Sequence, residues 1–162
     1  MSRLQQKCPK NDKKCKAREN VQAAISTKAL RLFGTASGLD TFNVTGELDV
    51  KYFSQTKWDK ASEISGITMA QKYLVKNRYC HSCVIGCGRR VAIKEGEFKT
   101  DEIEGPEYET IVSYGSLILN HDLQSIVYIN KKCFDYGIDT ISSGGVIGCL
   151  THHFYLGNIP LK

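Results

Sequence analysis

The sequence predicts a mainly helical domain with one small extended region. Three observations carry that reading. Apolar residues recur at helical spacing over residues 20–33 and again between residues 106 and 150. Helix-starting residues stand at the heads of such stretches, namely Thr68, Pro106, Asp122 and Asp139. Signals for extended backbone are confined to residues 34–56 and to a hairpin region near 91–100.

Taken in order, the helical pattern of residues 20–33 stops at Gly34. Residues 34–56 read as loop and extended chain, because Gly38 and Gly46 interrupt the period and Val44 and Thr45 favour extended backbone. Trp58 to Ser65 reads as a short helix. Thr68 reads as an N-cap with Gln71 completing a capping box, and its helix is expected to run to about Asn77. Val91 to Thr100 reads as a hairpin turning at Glu95-Gly96. Pro106 suits the first position of a helix with the stripe Tyr108, Ile111, Val112, Gly115 and Leu119. Asp122 caps the next, with Leu123, Ile126, Val127, Asn130, Cys133 and Phe134 on one face. Asp139 caps the last, which carries Ile141, Val146, Cys149 and Leu150.

A length of 162 residues suits one domain with a moderate core. No apolar run approaches the roughly 18 residues of a membrane span, and the basic N-terminus lacks the apolar stretch of a secretory signal. Seven cysteines with no export signal read as free thiols in a reducing cytoplasm rather than a disulfide framework. The net charge of +5 is uneven: residues 1–31 hold nine Lys or Arg against two acids, and the remainder is slightly acidic. No aromatic residue precedes Phe33, so base stacking has no platform and no nucleic-acid partner is expected. Residues 1–20 read as a basic, poorly ordered tail, 21–150 as the domain, and 151–162 as a divergent C-terminal tail. Cys8 and Cys15 form no recognisable metal pair.

The chemistry concentrates in Cys80-His81-Ser82-Cys83-Val84-Ile85-Gly86-Cys87-Gly88-Arg89. The C-x2-C-x3-C spacing lets one short loop offer three thiolates to one centre, either an iron–sulfur cluster or zinc. Gly86 and Gly88 permit the tight turns this needs. Arg89 and Arg90 would offset the negative charge of an all-thiolate cluster; without a cluster they read as two surface arginines. Three thiolates leave the centre one ligand short. Cys133 and Cys149 lie on apolar stripes, where a free cysteine serves as a small buried hydrophobe. His81 suits either zinc or solvent.

Further motifs follow in order: Phe42-Asn43-Val44-Thr45-Gly46, Glu104-Gly105-Pro106-Glu107-Tyr108-Glu109-Thr110, Asn120-His121-Asp122-Leu123 and Gly137-Ile138-Asp139-Thr140-Ile141-Ser142. With the cysteine loop, they make residues 39–150 resemble the aldehyde:ferredoxin oxidoreductase family of tungsten-pterin enzymes, specifically its middle, mostly helical domain. The resemblance implies oxidation of aldehydes to carboxylic acids, with electrons passing through a [4Fe–4S] cluster to ferredoxin. It implies a tungsten or molybdenum ion held by two pterins. It assigns Cys80, Cys83 and Cys87 to the cluster and Glu109 to proton transfer from the hydrated aldehyde. It assigns Asp139, Gly137 and Ile138 to the pterin, although Phe134 stands where the family's D-x-x-G-L-D motif has its first carboxylate. Without the family, Glu109 would belong to a solvated acidic face, since seven acids lie between Glu95 and Glu109. The resemblance covers only part of the enzyme, so the chain is expected to be incomplete and inactive alone. Two other readings stand beside it: an electron-relay or docking module completed by a separate chain, and a non-functional gene remnant whose cysteines bind zinc.

Overall fold

A computed structural model describes residues 13–158. Helix α1 (Lys13–Ala23) leads into α2 (Ile25–Phe33). Gly34 ends α2 at φ +69°, with its N–H returned to the Leu30 carbonyl. Residues 13–20, expected as tail, are therefore the start of a helix, while residues 1–12, with Cys8, and 159–162 lie outside the described residues. Residues 34–45 depart from expectation as well, while 46–56 are loop with one extended bridge, Val50 to Gln55, as read. A 3-10 turn over Thr35–Gly38 runs into helix α3 (Leu39–Thr45), which Gly46 closes at φ +81°. Leu39 is fully buried and Phe42 packs against the core, so tertiary burial overrides the extended preference of Val44 and Thr45.

A 3-10 turn over Ala61–Ile64 replaces the short helix read from Trp58 to Ser65. Helix α4 (Gly66–Tyr73) is capped by Ser65, whose Oγ accepts the Thr68 N–H at 3.3 Å; the cap thus lies three residues before Thr68. α4 stops at Tyr73 rather than near Asn77, because Leu74–Arg78 pairs as strand β1. Strands β2 (Gly88–Ile93) and β3 (Thr100–Glu104) complete an antiparallel sheet in the order β1-β2-β3. The hairpin foreseen near 91–100 is its second half, turning through Gly96 at φ +95°. On β2, Arg89, Val91 and Ile93 alternate inward, as one buried face requires.

Helix α5 (Tyr108–Tyr114) starts two residues after Pro106 and is followed by a 3-10 turn over Ser116–Ile118. Helix α6 (Leu123–Tyr136) has the predicted cap: Asp122 accepts the Gln124 N–H at 3.0 Å. Leu123, Ile126, Val127, Asn130 and Cys133 are buried as expected. Phe134 is 63% exposed instead, because the helix closes just beyond it. There Ile138 N–H donates to Cys133 O and Gly137 N–H to Phe134 O, a Schellman ending that needs the left-handed Gly137. Helix α7 (Thr140–Tyr155) carries residues 151–155 of the expected tail. Its predicted cap, Asp139, accepts the Ser142 N–H at 2.7 Å. Its buried face is the reverse of the predicted stripe. Gly144 and Gly148 are buried, while Ile141, Val146 and Leu150 are each more than half exposed. α7 packs backbone-first: a Cβ on Gly144 would stand 2.4 Å from Ser113 Cβ of α5. Among the described residues no helix is long and apolar enough to cross a membrane.

Candidate functional site

Pairing of Arg78 with Gly88 makes residues 79–87 the tip of the β1–β2 hairpin, and this tip is the cysteine loop. Inside the loop, Cys83 N–H donates to Cys80 O at 3.1 Å. Ser82 and Gly86 take positive φ, and Gly86 must lack a Cβ because one would lie 2.2 Å from the Tyr79 ring. Remote elements hold the loop. Gln22 of α1 donates to Val84 O at 3.1 Å. Asn77 of β1 donates both to Gly86 O at 3.2 Å and to Arg31 O at the end of α2.

The sheet register then brings acids to the thiols. Gly105 N–H donates to Arg89 O at 2.8 Å, which turns Glu107-Tyr108-Glu109 back alongside Cys87-Gly88. The result is a cleft of about 520 Å³ lined by Cys80, Cys87, Glu107, Tyr108 and Glu109, together with Thr35 and Phe42. Thr35 fixes the Glu107-Tyr108 segment. Its hydroxyl accepts the Tyr108 N–H at 2.9 Å and donates to the Glu107 carboxylate, supplying from 73 residues away the cap that α5 lacks locally.

The groups of the cysteine loop and of the cleft differ electrically, Cys83 belonging to the loop but not to the cleft lining. Cys83 accepts the Ile85 N–H at 3.4 Å, and the Gly86 and Ile85 N–H groups hold its thiol below the ordinary range. Burial, then the nearby Glu107 carboxylate, pushes the Cys87 thiol up. Burial and the neighbouring Glu109 push Tyr108 up to about 12, so it remains a neutral donor. Glu109 itself is exposed at the rim. The two arginines after the loop part company. Arg90 pairs with Glu102, Nε to Oε1 at 3.1 Å. Arg89 is 1% exposed, and none of its three side-chain nitrogens has a hydrogen-bond partner.

A family profile described as aldehyde ferredoxin oxidoreductase, domains 2 and 3, matches residues 12–162. The chain belongs to the aldehyde ferredoxin oxidoreductase family. It is 39% identical over 135 residues to the tungsten-containing aldehyde ferredoxin oxidoreductase of Pyrococcus furiosus, covering 83% of this chain and 22% of that protein. It is 37% identical over 123 residues to the Thermococcus kodakarensis enzyme of the same name, covering 76% of this chain and 20% of that one. The chain therefore spans about a fifth of the length of these relatives. The profile match runs past both ends of the span delimited by the motifs, residues 39–150.

Of the site residues expected from the resemblance, Cys80, Cys87 and Glu109 share the cleft, and Cys83 does not line it. Asp139, Gly137 and Ile138 do not; they form the exposed junction of α6 and α7. The Asp139 carboxylate is engaged by the Ser142 side chain and N–H, which hold its pKa below the ordinary carboxylate range. Cys133 is buried with its Sγ 3.4 Å from the Tyr114 hydroxyl, and Cys149 lies beside Tyr52, so neither reaches the cleft. His81 is exposed. The expectation of free thiols holds at Cys80, Cys83, Cys87, Cys133 and Cys149 and fails at Cys15, which is disulfide-bonded. Among the described residues, no three His, Cys, Asp or Glu side chains close around one point. The loop nonetheless fits an anionic thiolate centre in chemistry, with three free thiols, N–H groups on sulfur and an unpaired buried cation behind. Thr35, Gln22, Asn77 and Glu107 escaped sequence reasoning because their partners are distant in the chain; only Glu107 lay within a recognised motif.

Proposed function

We propose that this chain is the iron–sulfur portion of an aldehyde-oxidising enzyme, with Cys80, Cys83 and Cys87 as ligands of a [4Fe–4S] cluster. The observation that carries the reading is a three-thiol loop, two of whose thiols, Cys80 and Cys87, line the same cleft as Glu107, Tyr108 and Glu109. A [4Fe–4S] cluster supplies one-electron transfer when bound, with ferredoxin as the acceptor. The chain's own residues have separable tasks. The N–H groups of Ile85 and Gly86 stabilise charge on Cys83 sulfur. Tyr108 offers a neutral hydroxyl to an oxygen-bearing substrate. Glu109, at the open rim, takes the proton of the hydrated aldehyde. Asp139, Gly137 and Ile138 are the contact for the pterin of a tungsten or molybdenum centre. The relatives named above contain tungsten. Because Asp139 lies outside the cleft and the chain spans a fifth of those relatives, the chain alone does not turn over aldehyde. Its setting is cytoplasmic.

A second reading, a relay module completed by a separate chain, is favoured by one observation. The outer face of α7 presents Val146, Ile147 and Leu150 uncovered. Anaerobic purification with iron, sulfide, zinc and tungsten analysis, and electron paramagnetic resonance of the reduced protein, tests the cluster assignment. About four iron and four sulfide per chain is the expected result. Zinc, or no metal, removes the assignment and favours a remnant.

A further inference from the structure

We propose that Arg89 is the built-in positive partner of the thiolate-held centre, and that Gly34 is glycine because the guanidinium occupies the space of a side chain there. The inference rests on the cluster reading above.

A buried charge persists when something compensates it. Arg89 lies on the inward face of the central strand, its backbone carbonyl bonded to Gly105 and its side chain 1% exposed. The titratable groups nearest in influence are the Glu107 carboxylate and the Cys87 thiol, both on the cleft wall. Yet the Glu107 carboxylate is engaged by Thr35, and no described group hydrogen-bonds the Arg89 guanidinium. The guanidinium fills a place no other residue at 34 would leave open. A Cβ on Gly34 would lie 1.1 Å from Arg89 Nη1 and 1.7 Å from Cζ. The adjacent Arg90 shows the contrast, with Nε on Glu102 Oε1 at 3.1 Å and Nη2 on Glu102 O at 2.9 Å. One arginine is satisfied by the protein. The other is held ready, behind Cys87, for negative charge that the polypeptide does not supply. An all-thiolate iron–sulfur cluster is such a group, and a fixed positive charge beside it favours the reduced, more negative form. Arg89 is thus a positioning and tuning residue, acting on the centre from behind the cysteine loop.

The test uses the full chain reconstituted anaerobically with ferrous iron and sulfide, with folding followed by circular dichroism. The readouts are iron retained per chain and the midpoint potential. Arg89→Met is expected to shift the one-electron equilibrium against reduction by at least tenfold, or about 59 mV. Gly34→Ala, which displaces the guanidinium, is expected to shift it the same way. Arg89→Lys keeps the charge and is expected within threefold of wild type, and Arg90→Met is expected to leave the potential unchanged. Equal shifts from Arg89→Met and Arg90→Met would overturn the proposal, as would a folded Arg89→Met or Gly34→Ala at wild-type potential. Should Arg89→Met not fold, a tenfold shift in Arg89→Lys overturns it. Wild-type chain that takes up no iron removes the cluster reading and this inference with it; uptake without the Arg89 pattern removes only the inference.

Discussion

The cysteine hairpin and the α6–α7 junction carry two of the chain's family motifs, and they are built in opposite ways. Distant elements lock the hairpin tip. Gln22 of α1 bonds the tip directly, Asn77 ties it to the end of α2, Thr35 fixes the neighbouring Glu107-Tyr108 segment, and Arg89 is sealed in the sheet beside it. The junction is satisfied locally. Asp139 caps its own helix, Gly137 closes the preceding one, and both stand in solvent among exposed Phe134, Tyr136, Ile138 and Ile141. The difference teaches that long-range contacts build the cysteine loop, whereas the α6–α7 junction is held by local contacts and faces outward.

The largest expected effect that sharpens this contrast is loss of iron. Cys87→Ser is expected to abolish most iron uptake on reconstitution while circular dichroism stays unchanged, since Cys87 is only partly buried; retained iron would detach the cleft from metal binding. Next comes Gly144→Leu at the close contact of α7 with α5. Overpacking against Ser113 is expected to cost about 1–3 kcal/mol in urea unfolding, and an unchanged midpoint would mean that α7 does not dock backbone-first.

A smaller effect concerns pH. The folded pKa of Tyr108, about 12, lies above the ordinary phenol value, so its stabilising contribution is whole below pH of about 10 and is lost as pH rises toward 12. Tyr108→Phe should flatten that alkaline loss, and spectrophotometric titration of the wild type should show one phenol ionising late. The smallest effect belongs to the outward face. Leu150 is 54% exposed, so Leu150→Glu is expected to change unfolding stability by no more than about 0.5 kcal/mol while lowering self-association by analytical ultracentrifugation. A large loss of stability there would mean that α7 buries the face carrying Leu150.

Some of this was legible residue by residue. Asp122 and Asp139 were readable as caps because a cap is a contact over two or three residues. The cysteine loop was readable because its spacing is itself the signal. The buried stripe of α6 followed from period alone, up to Phe134. α7 misled for a physical reason. Its period marks an apolar stripe, and only the approach of α5 decides that the glycine face, not the stripe, is buried. β1 was read as helix because nothing within Leu74–Arg78 outweighs the helical pattern before it; its strand form depends on β2 as partner.

The chain's sequence by itself determined the family, the helical class, the two aspartate caps and the thiol loop, because each is written in residues close together along the chain. Tertiary structure alone decided that Glu107 and Tyr108 meet Cys80 and Cys87, that Thr35 joins them, and that Arg89 rather than Arg90 is buried without a partner. Those outcomes depend on strand register and on Gly34, 55 residues from Arg89, leaving a space of the right shape. Such fits arise only when distant segments pack, and no local pattern encodes them.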